Sequence, residues 1–215
     1  MLINGVCWAE HNVGEPGRFA NPANPNGMLY QWNRRKGWSA TGSFSGWDSS
    51  PDPSDTWETA NDPCPVGWRM PNVEEINRLI DRQKTYYHRY FDTWVATDKD
   101  TRNTISLPRN TGLIDKNGKY LASGRPFYWL NSSRYVLDFD ASHGALQLNV
   151  YANNAAQGFN VRCVADETAC DIVLSTSEVI CEKDLPYRWR DTVFREGTRT
   201  GEFCFRRTCK TTGCD

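Results

Sequence analysis

Tryptophan and cysteine are sorted to opposite ends of this 215-residue chain. Eight of its nine tryptophans lie before residue 166, and only Trp189 lies beyond. Cysteine shows the reverse bias. Cys7, Cys64 and Cys163 are spread through the first part, whereas Cys170, Cys181, Cys204, Cys209 and Cys214 crowd the end. Large rings build a dense core with few long helices, so the first part reads as a packed domain. Crowded cysteines in a short stretch read as a disulfide framework of an oxidising compartment. Zinc is the competing reading. It asks for tighter pairs such as C-x2-C with matching partners. Here four residues separate Cys204 from Cys209 and Cys209 from Cys214, and no histidine follows His143. Disulfides are the better fit.

Length and charge narrow the class. The chain is long enough for one large domain, or an ordinary domain with a small companion. We place the boundary at residues 1–166 and 167–215. The 25 basic and 26 acidic residues leave a net charge of −1, which argues against nucleic acid as a partner. Mean hydropathy is −0.67, and the apolar runs are far too short for membrane insertion by a helix. The opening residues, Met1-Leu-Ile-Asn-Gly-Val6, carry no basic n-region and no apolar h-region. The expectation is therefore a piece of a longer exported protein, extracellular or at the cell surface.

Periodicity places the elements. Leu2–Ala9 and Met28–Trp32 read as short strands. Residues 33–62 read as a long irregular stretch, a length that calls for tethering. Trp38, Trp47 and Trp57 are the expected anchors. Asn72 with Glu75 three residues on is a capping box, and Val73, Ile76, Leu79 and Ile80 share one helical face. Residues 113–121 read as a hairpin turning at Asn117-Gly118. Arg134–Asp140, Ala145–Tyr151 and Phe159–Val164 alternate as strands, each expected to have one buried and one polar face.

Certain blocks carry a resemblance. Ile3-Asn-Gly-Val-Cys-Trp-Ala9, Tyr30-Gln-Trp-Asn33, Asp62-Pro-Cys-Pro-Val-Gly-Trp-Arg-Met-Pro71, Leu107-Pro108, Tyr128-Trp129, Asn131-Ser-Ser133 and Gly158-Phe-Asn-Val-Arg-Cys-Val164 occur in this order. Together they resemble the major paralogous domain first described from Fibrobacter succinogenes and common in exported proteins of Bacteroidetes. The resemblance spans about residues 2–166. It implies an α+β fold, a C-type lectin-like domain with irregular loops related to the formylglycine-generating enzyme fold. It also implies a bridge between Cys64 and Cys163, which sit in its two diagnostic blocks. Cys7 is then a buried free thiol or pairs outside those blocks. In the tail, Val179–Trp189, Gly201–Phe205 and Thr212–Asp215 resemble a β-rich repeat of large surface proteins. That resemblance implies a small all-β immunoglobulin-like module cut short before its final strand, with Cys181 and Cys214 as the preferred pair. Cys170, Cys204 and Cys209 stay unassigned.

Chemistry-bearing constellations are sparse. The formylglycine-generating fold holds copper with two late cysteines, and here only Cys163 qualifies. His11, His88 and His143 have no ligand spacing. Asp138 and Asp140 on one strand face admit an acid–base pair, but alternation favours a solvated face. The Glu-Pro-Asn or Gln-Pro-Asp loop and Trp-Asn-Asp strand of calcium-dependent lectins are missing; Trp129-Leu-Asn131 echoes the latter in part. We therefore expect no enzyme, no cofactor and no metal. The expected function is a recognition module of an adhesin-like protein, with a glycan or a surface protein as partner and neighbouring domains of a longer chain attached. Its candidate surface is Asn131, Ser132, Ser133, Asp138, Asp140, Gln147, Asn149, Tyr151, Asn153 and Asn154. A structural spacer or assembly domain without a ligand is the first alternative, and an enzyme like the formylglycine-generating one is the second.

Overall fold

The helix forms where its cap dictates. In the computed structural model the Asn72 side chain accepts from the Glu75 N–H at 2.9 Å, and the Glu75 carboxylate accepts from the Asn72 N–H at 2.9 Å. This reciprocal cap starts helix α1, Val73–Asp81. Ile76 and Leu79 are its buried face, while Glu74 and Arg78, four apart, pair on the exposed side at 2.7 Å. Arg69 grips Glu75 with both terminal nitrogens, at 2.9 and 2.6 Å, and fixes how the chain enters the helix.

The structure describes residues 1–39, 45–50, 52–81, 83–88, 93–98, 102–108, 113–122, 125–132, 135–140, 145–150, 156–166, 187–189 and 192–194. Among them α1 is the single α-helix, nine residues long, set among seventeen short strands in six small sheets. The expected α+β class, a C-type lectin-like domain followed by an immunoglobulin-like module, is therefore corrected to a predominantly β architecture. The physical reason lies in the sequence. Val73–Ile80 is the one sustained apolar stripe at helical spacing, and the following segments are rich in threonine, aromatic and β-branched residues, which suit strands.

The strands are β1 (Leu2–Ile3), β2 (Val6–Cys7), β3 (Met28–Gln31), β4 (Gly37–Ser39), β5 (Trp68–Arg69), β6 (Gln83–His88), β7 (Thr93–Asp98), β8 (Thr104–Pro108), β9 (Leu113–Ile114), β10 (Tyr120–Leu121), β11 (Phe127–Trp129), β12 (Tyr135–Asp140), β13 (Ala145–Val150), β14 (Gly158–Phe159), β15 (Val164–Ala165), β16 (Tyr187–Trp189) and β17 (Thr192–Phe194). Leu2–Ala9 is a hairpin, not one strand. Asn4 and Gly5 both adopt positive φ, 44° and 76°, the backbone of a primed two-residue turn. At the predicted turn of residues 113–121 only Gly118 does so, with φ 82°. Its N–H donates to the Asp115 carbonyl at 3.0 Å, and the Asp115 side chain accepts from the Asn117 and Lys119 N–H groups.

The three-stranded sheet β11-β12-β13 divides the interior. One face carries Tyr128, Leu137, Phe139 and Leu146 into a core shared with Trp8, Ile76, Leu79, Leu107 and Val164. The opposite face carries Phe127, Trp129 and Val136 into a second core with Trp32, Trp57, Met70 and Phe159. Edge-to-face contacts of Trp32 with Trp57 and Trp129, at centroid distances of 5.1 and 5.4 Å, knit the second core. A smaller cluster of Leu29, Trp38 and Ile114, flanked by Trp47 and Tyr120, underlies the five-stranded sheet β10-β9-β14-β3-β4. Trp38 and Trp57 are buried and Trp47 half-buried, so all three expected anchors tether the stretch 33–62.

The chain's two ends of this region are stitched together. Trp8 bridges Val164, Ala9 N–H donates to the Cys163 carbonyl at 2.9 Å, and β15 pairs with β5. The Cys64–Cys163 disulfide forms, with sulfurs 2.08 Å apart across 99 residues of separation. Cys7 is also disulfide-bonded; with Cys64 and Cys163 joined to each other, its pairing outside the two diagnostic blocks holds and the free-thiol reading is corrected. The Cys181–Cys214 pairing, and Cys170, Cys204 and Cys209, lie outside the described residues, as does the tail repeat apart from the β16–β17 hairpin.

Candidate functional site

Alternation within β12 and β13 sets the candidate surface. Phe127, Asp138 and Gln147 stand opposite one another, and Trp129, Val136 and Asn149 form the next row on the same face. The apolar half of that face belongs to the second core. Its polar half lies toward β13, the outer strand of the sheet, where Gln147 and Asn149 are half-exposed.

Asp138 is not a solvated strand residue. It is 1% exposed, and burial pushes its carboxyl above the usual carboxylate range, against the opposing pull of the Phe139 N–H, Arg125, Asn149 and Gln147. One oxygen accepts from the Phe139 N–H at 2.6 Å; the other accepts from Asn149 Nδ2 at 3.0 Å and lies 3.7 Å from Arg125 Nη1. Arg125 in turn sits over the Phe127 ring at 5.7 Å. Sequence reasoning passed over Arg125 because it did not register β11. With β11 placed, Arg125 falls two residues before Phe127 and on the same face as Asp138.

Asn131 and Ser132 are half-exposed but held by other partners. Asn131 N–H donates to the Pro71 carbonyl at 2.9 Å, its own carbonyl accepts from Trp57 N–H at 3.0 Å, and Ser132 bridges Thr56. They anchor the loop before Trp57. Asp140 closes β12 opposite Ala145. Ser133, Tyr151, Asn153 and Asn154 lie outside the described residues. The structure thus brings Asp138, Gln147 and Asn149 together and adds Arg125.

The two diagnostic blocks are structural. Asp62 accepts from the N–H groups of Cys64 at 2.8 Å and Met70 at 3.0 Å, closing the loop that carries the disulfide. Burial raises its carboxyl above the ordinary range even so. Arg162 is 2% exposed. It donates to Asn12 Oδ1 at 2.9 Å and to the carbonyls of Ala9, Glu10 and Ser106 at 3.1, 2.8 and 2.7 Å. Asn160, fully buried, donates to the carbonyls of Asn26 and Met28. The expectation that Asn160 and Arg162 form a polar strand face is therefore corrected. Their polarity is spent inward, tying the last strands to the first loops.

Among the described residues no group of three or more His, Cys, Asp or Glu side chains could hold a metal ion, and no helix is long and apolar enough to cross a membrane. Comparison of the chain with protein-family models, with curated proteins and with solved structures finds no match.

Proposed function

We propose that this chain is a secreted or cell-surface recognition module, binding a glycan or a surface protein through the polar edge of its last strands. The observation that carries the reading is the fixed amide array on β13. Asn149 is anchored through its Nδ2 to buried Asp138, so its side-chain oxygen is directed by a rigid partner. Gln147 stands two residues away on the same strand face, and half-exposed Arg125 flanks the carboxylate. Donors and acceptors held in place before a ligand arrives lose little freedom on binding. Half-exposed amides beside a guanidinium suit the hydroxyls of a sugar or the main chain of a protein partner. The Cys64–Cys163 bridge is compatible with an oxidising extracellular setting. The resemblance to paralogous domains of exported Bacteroidetes proteins points the same way.

A non-binding spacer is the second reading. The stitching of first strands to last, through Arg162, the disulfide and the Trp8–Val164 bridge, is what a load-bearing unit needs. A glycan array and a panel of extracellular proteins, probed with the full chain at high concentration, separate the two. Retention of a defined set of ligands supports recognition; retention of none supports the spacer.

A further inference from the structure

Three Asn-Gly pairs occur in the described chain, Asn4-Gly5, Asn26-Gly27 and Asn117-Gly118, and the fold treats them differently. Such pairs lose ammonia when the glycine nitrogen, as its anion, attacks the asparagine side-chain carbon. Glycine permits the attack because it carries no side chain. The step therefore depends on whether the amide can swing freely and on how readily the glycine N–H gives up its proton.

At Asn4 the side chain is engaged, donating to the Arg78 carbonyl at 3.2 Å. At Asn117 the following nitrogen is engaged, since Gly118 N–H donates to the Asp115 carbonyl at 3.0 Å. At Asn26 neither the side chain nor the Gly27 N–H makes a hydrogen bond among the described residues, and both residues are half-exposed. The Asn26 carbonyl, by contrast, accepts from two asparagine amides, Asn12 Nδ2 at 2.9 Å and Asn160 Nδ2 at 2.8 Å. Both partners of the Asn160 amide are carbonyls, so its NH2 must face them. That carbonyl and the Gly27 N–H belong to one peptide unit. Deprotonating the nitrogen delocalises charge onto the doubly bonded oxygen, and hydrogen bonds to an anionic oxygen are stronger than to a neutral one.

We propose that Asn26 is a site of spontaneous deamidation in the folded protein, promoted by the Asn12 and Asn160 amides. The Gly27 nitrogen, its proton lost to hydroxide, bonds to the Asn26 side-chain carbon. The C–N bond to the amide breaks and ammonia leaves with a proton from water. Water then opens the five-membered ring. Opening at the side-chain carbonyl gives aspartate, and opening at the main-chain carbonyl gives isoaspartate. Nothing is oxidised or reduced; one water enters and one ammonia departs. The glycine cannot be exchanged to avoid this, because Gly27 has φ 71° and a Cβ there would run into the Val13 carbonyl and, at 2.8 Å, the Asn12 side chain. Isoaspartate inserts a methylene into the main chain at this point. It would draw the carbonyl away from the two buried amides and loosen the loop that leads into β3.

Peptide mapping by mass spectrometry, after incubating the full chain at mildly alkaline pH with and without urea, tests the assignment. In urea the three pairs should react at similar rates. In the folded protein Asn26 should keep or exceed its urea rate, and outpace Asn4 and Asn117 by about tenfold or more, as one strengthened hydrogen bond implies. If folding slows Asn26 as much as the other two, or if Asn117 reacts fastest in the folded chain, the assignment is overturned.

Discussion

Replacing Arg162 by methionine removes a buried charge while keeping much of its volume, and two effects compete. Burying a guanidinium carries a desolvation penalty, and apolar replacements of buried ion pairs are often neutral or stabilising. Burial indeed pulls the Arg162 pKa downward, with Tyr128 and Glu10 opposing. But no partner leaves with the arginine. Asn12 Oδ1 and the Ala9 carbonyl, whose bonds to Arg162 are fully buried, would keep their acceptors with no donor. Each such orphan is worth ~1–3 kcal/mol. The Glu10 and Ser106 carbonyls, at part-buried bonds, can recruit water and contribute less. We expect a net loss of ~4 kcal/mol, within the range for removing one partner of a buried charged network. With an m-value of ~2 kcal/mol/M, the urea midpoint should fall by ~2 M. Tryptophan fluorescence reads this directly. Arg162→Lys should recover only part, since an ammonium is a point charge that cannot span four acceptors. An unchanged or raised midpoint in Arg162→Met would refute the reasoning, because desolvation would then outweigh the acceptors.

Other outcomes follow from the same structure. Asp62 and Asp138 have carboxyl pKa values raised by burial, so the native state holds protons that the unfolded chain has released. Stability should therefore fall as pH rises from the ordinary carboxylate pKa through the raised values and then level off; urea midpoints across that window should show a slope that Asp138→Asn reduces. Removing the Cys64–Cys163 bridge by a double alanine substitution should cost ~4–5 kcal/mol, the chain-entropy value for a loop of this length, measured by urea unfolding under non-reducing conditions. Gly118→Ala should lower the Tm, because φ is 82° and the new Cβ would lie 2.8 Å from the Trp47 ring; the left-handed conformation alone costs ~1–2 kcal/mol.

Local rules carried the parts of this fold that local physics decides. The capping box at Asn72 and Glu75, the apolar stripe of α1 and the turn at Gly118 follow from neighbouring residues alone. The strands β12 and β13 were legible from alternation, but their surroundings were not. Asp138 alternates like a surface residue, yet tertiary partners bury it. Asn160 and Arg162 do the same, because distant carbonyls at Ala9, Asn26 and Ser106 accept from their side-chain N–H groups. The β6-β7-β8 meander was missed altogether, although Thr85-Tyr-Tyr-His88 and Thr93-Trp-Val-Ala-Thr97 carry the threonine and aromatic content of strands. Apolar content alone makes Leu2–Ala9 one strand; the primed-turn signature Asn4-Gly5 is the local signal that divides it into β1 and β2. Of the candidate surface, Gln147 and Asn149 were legible as an outward row, while Arg125 required the register of β11.

The most direct test is ligand retention by the full chain compared with an Arg125→Ala/Asn149→Ala variant of equal folded fraction, on the same glycan array and protein panel. The account predicts that the native chain retains a defined ligand set and that the variant, compared at equal folded fraction, loses it; the variant's melting temperature should also fall, because both substitutions take partners from one oxygen of buried Asp138, an orphan worth ~1–3 kcal/mol. Undiminished retention by the variant, or no retention by either protein, would contradict it.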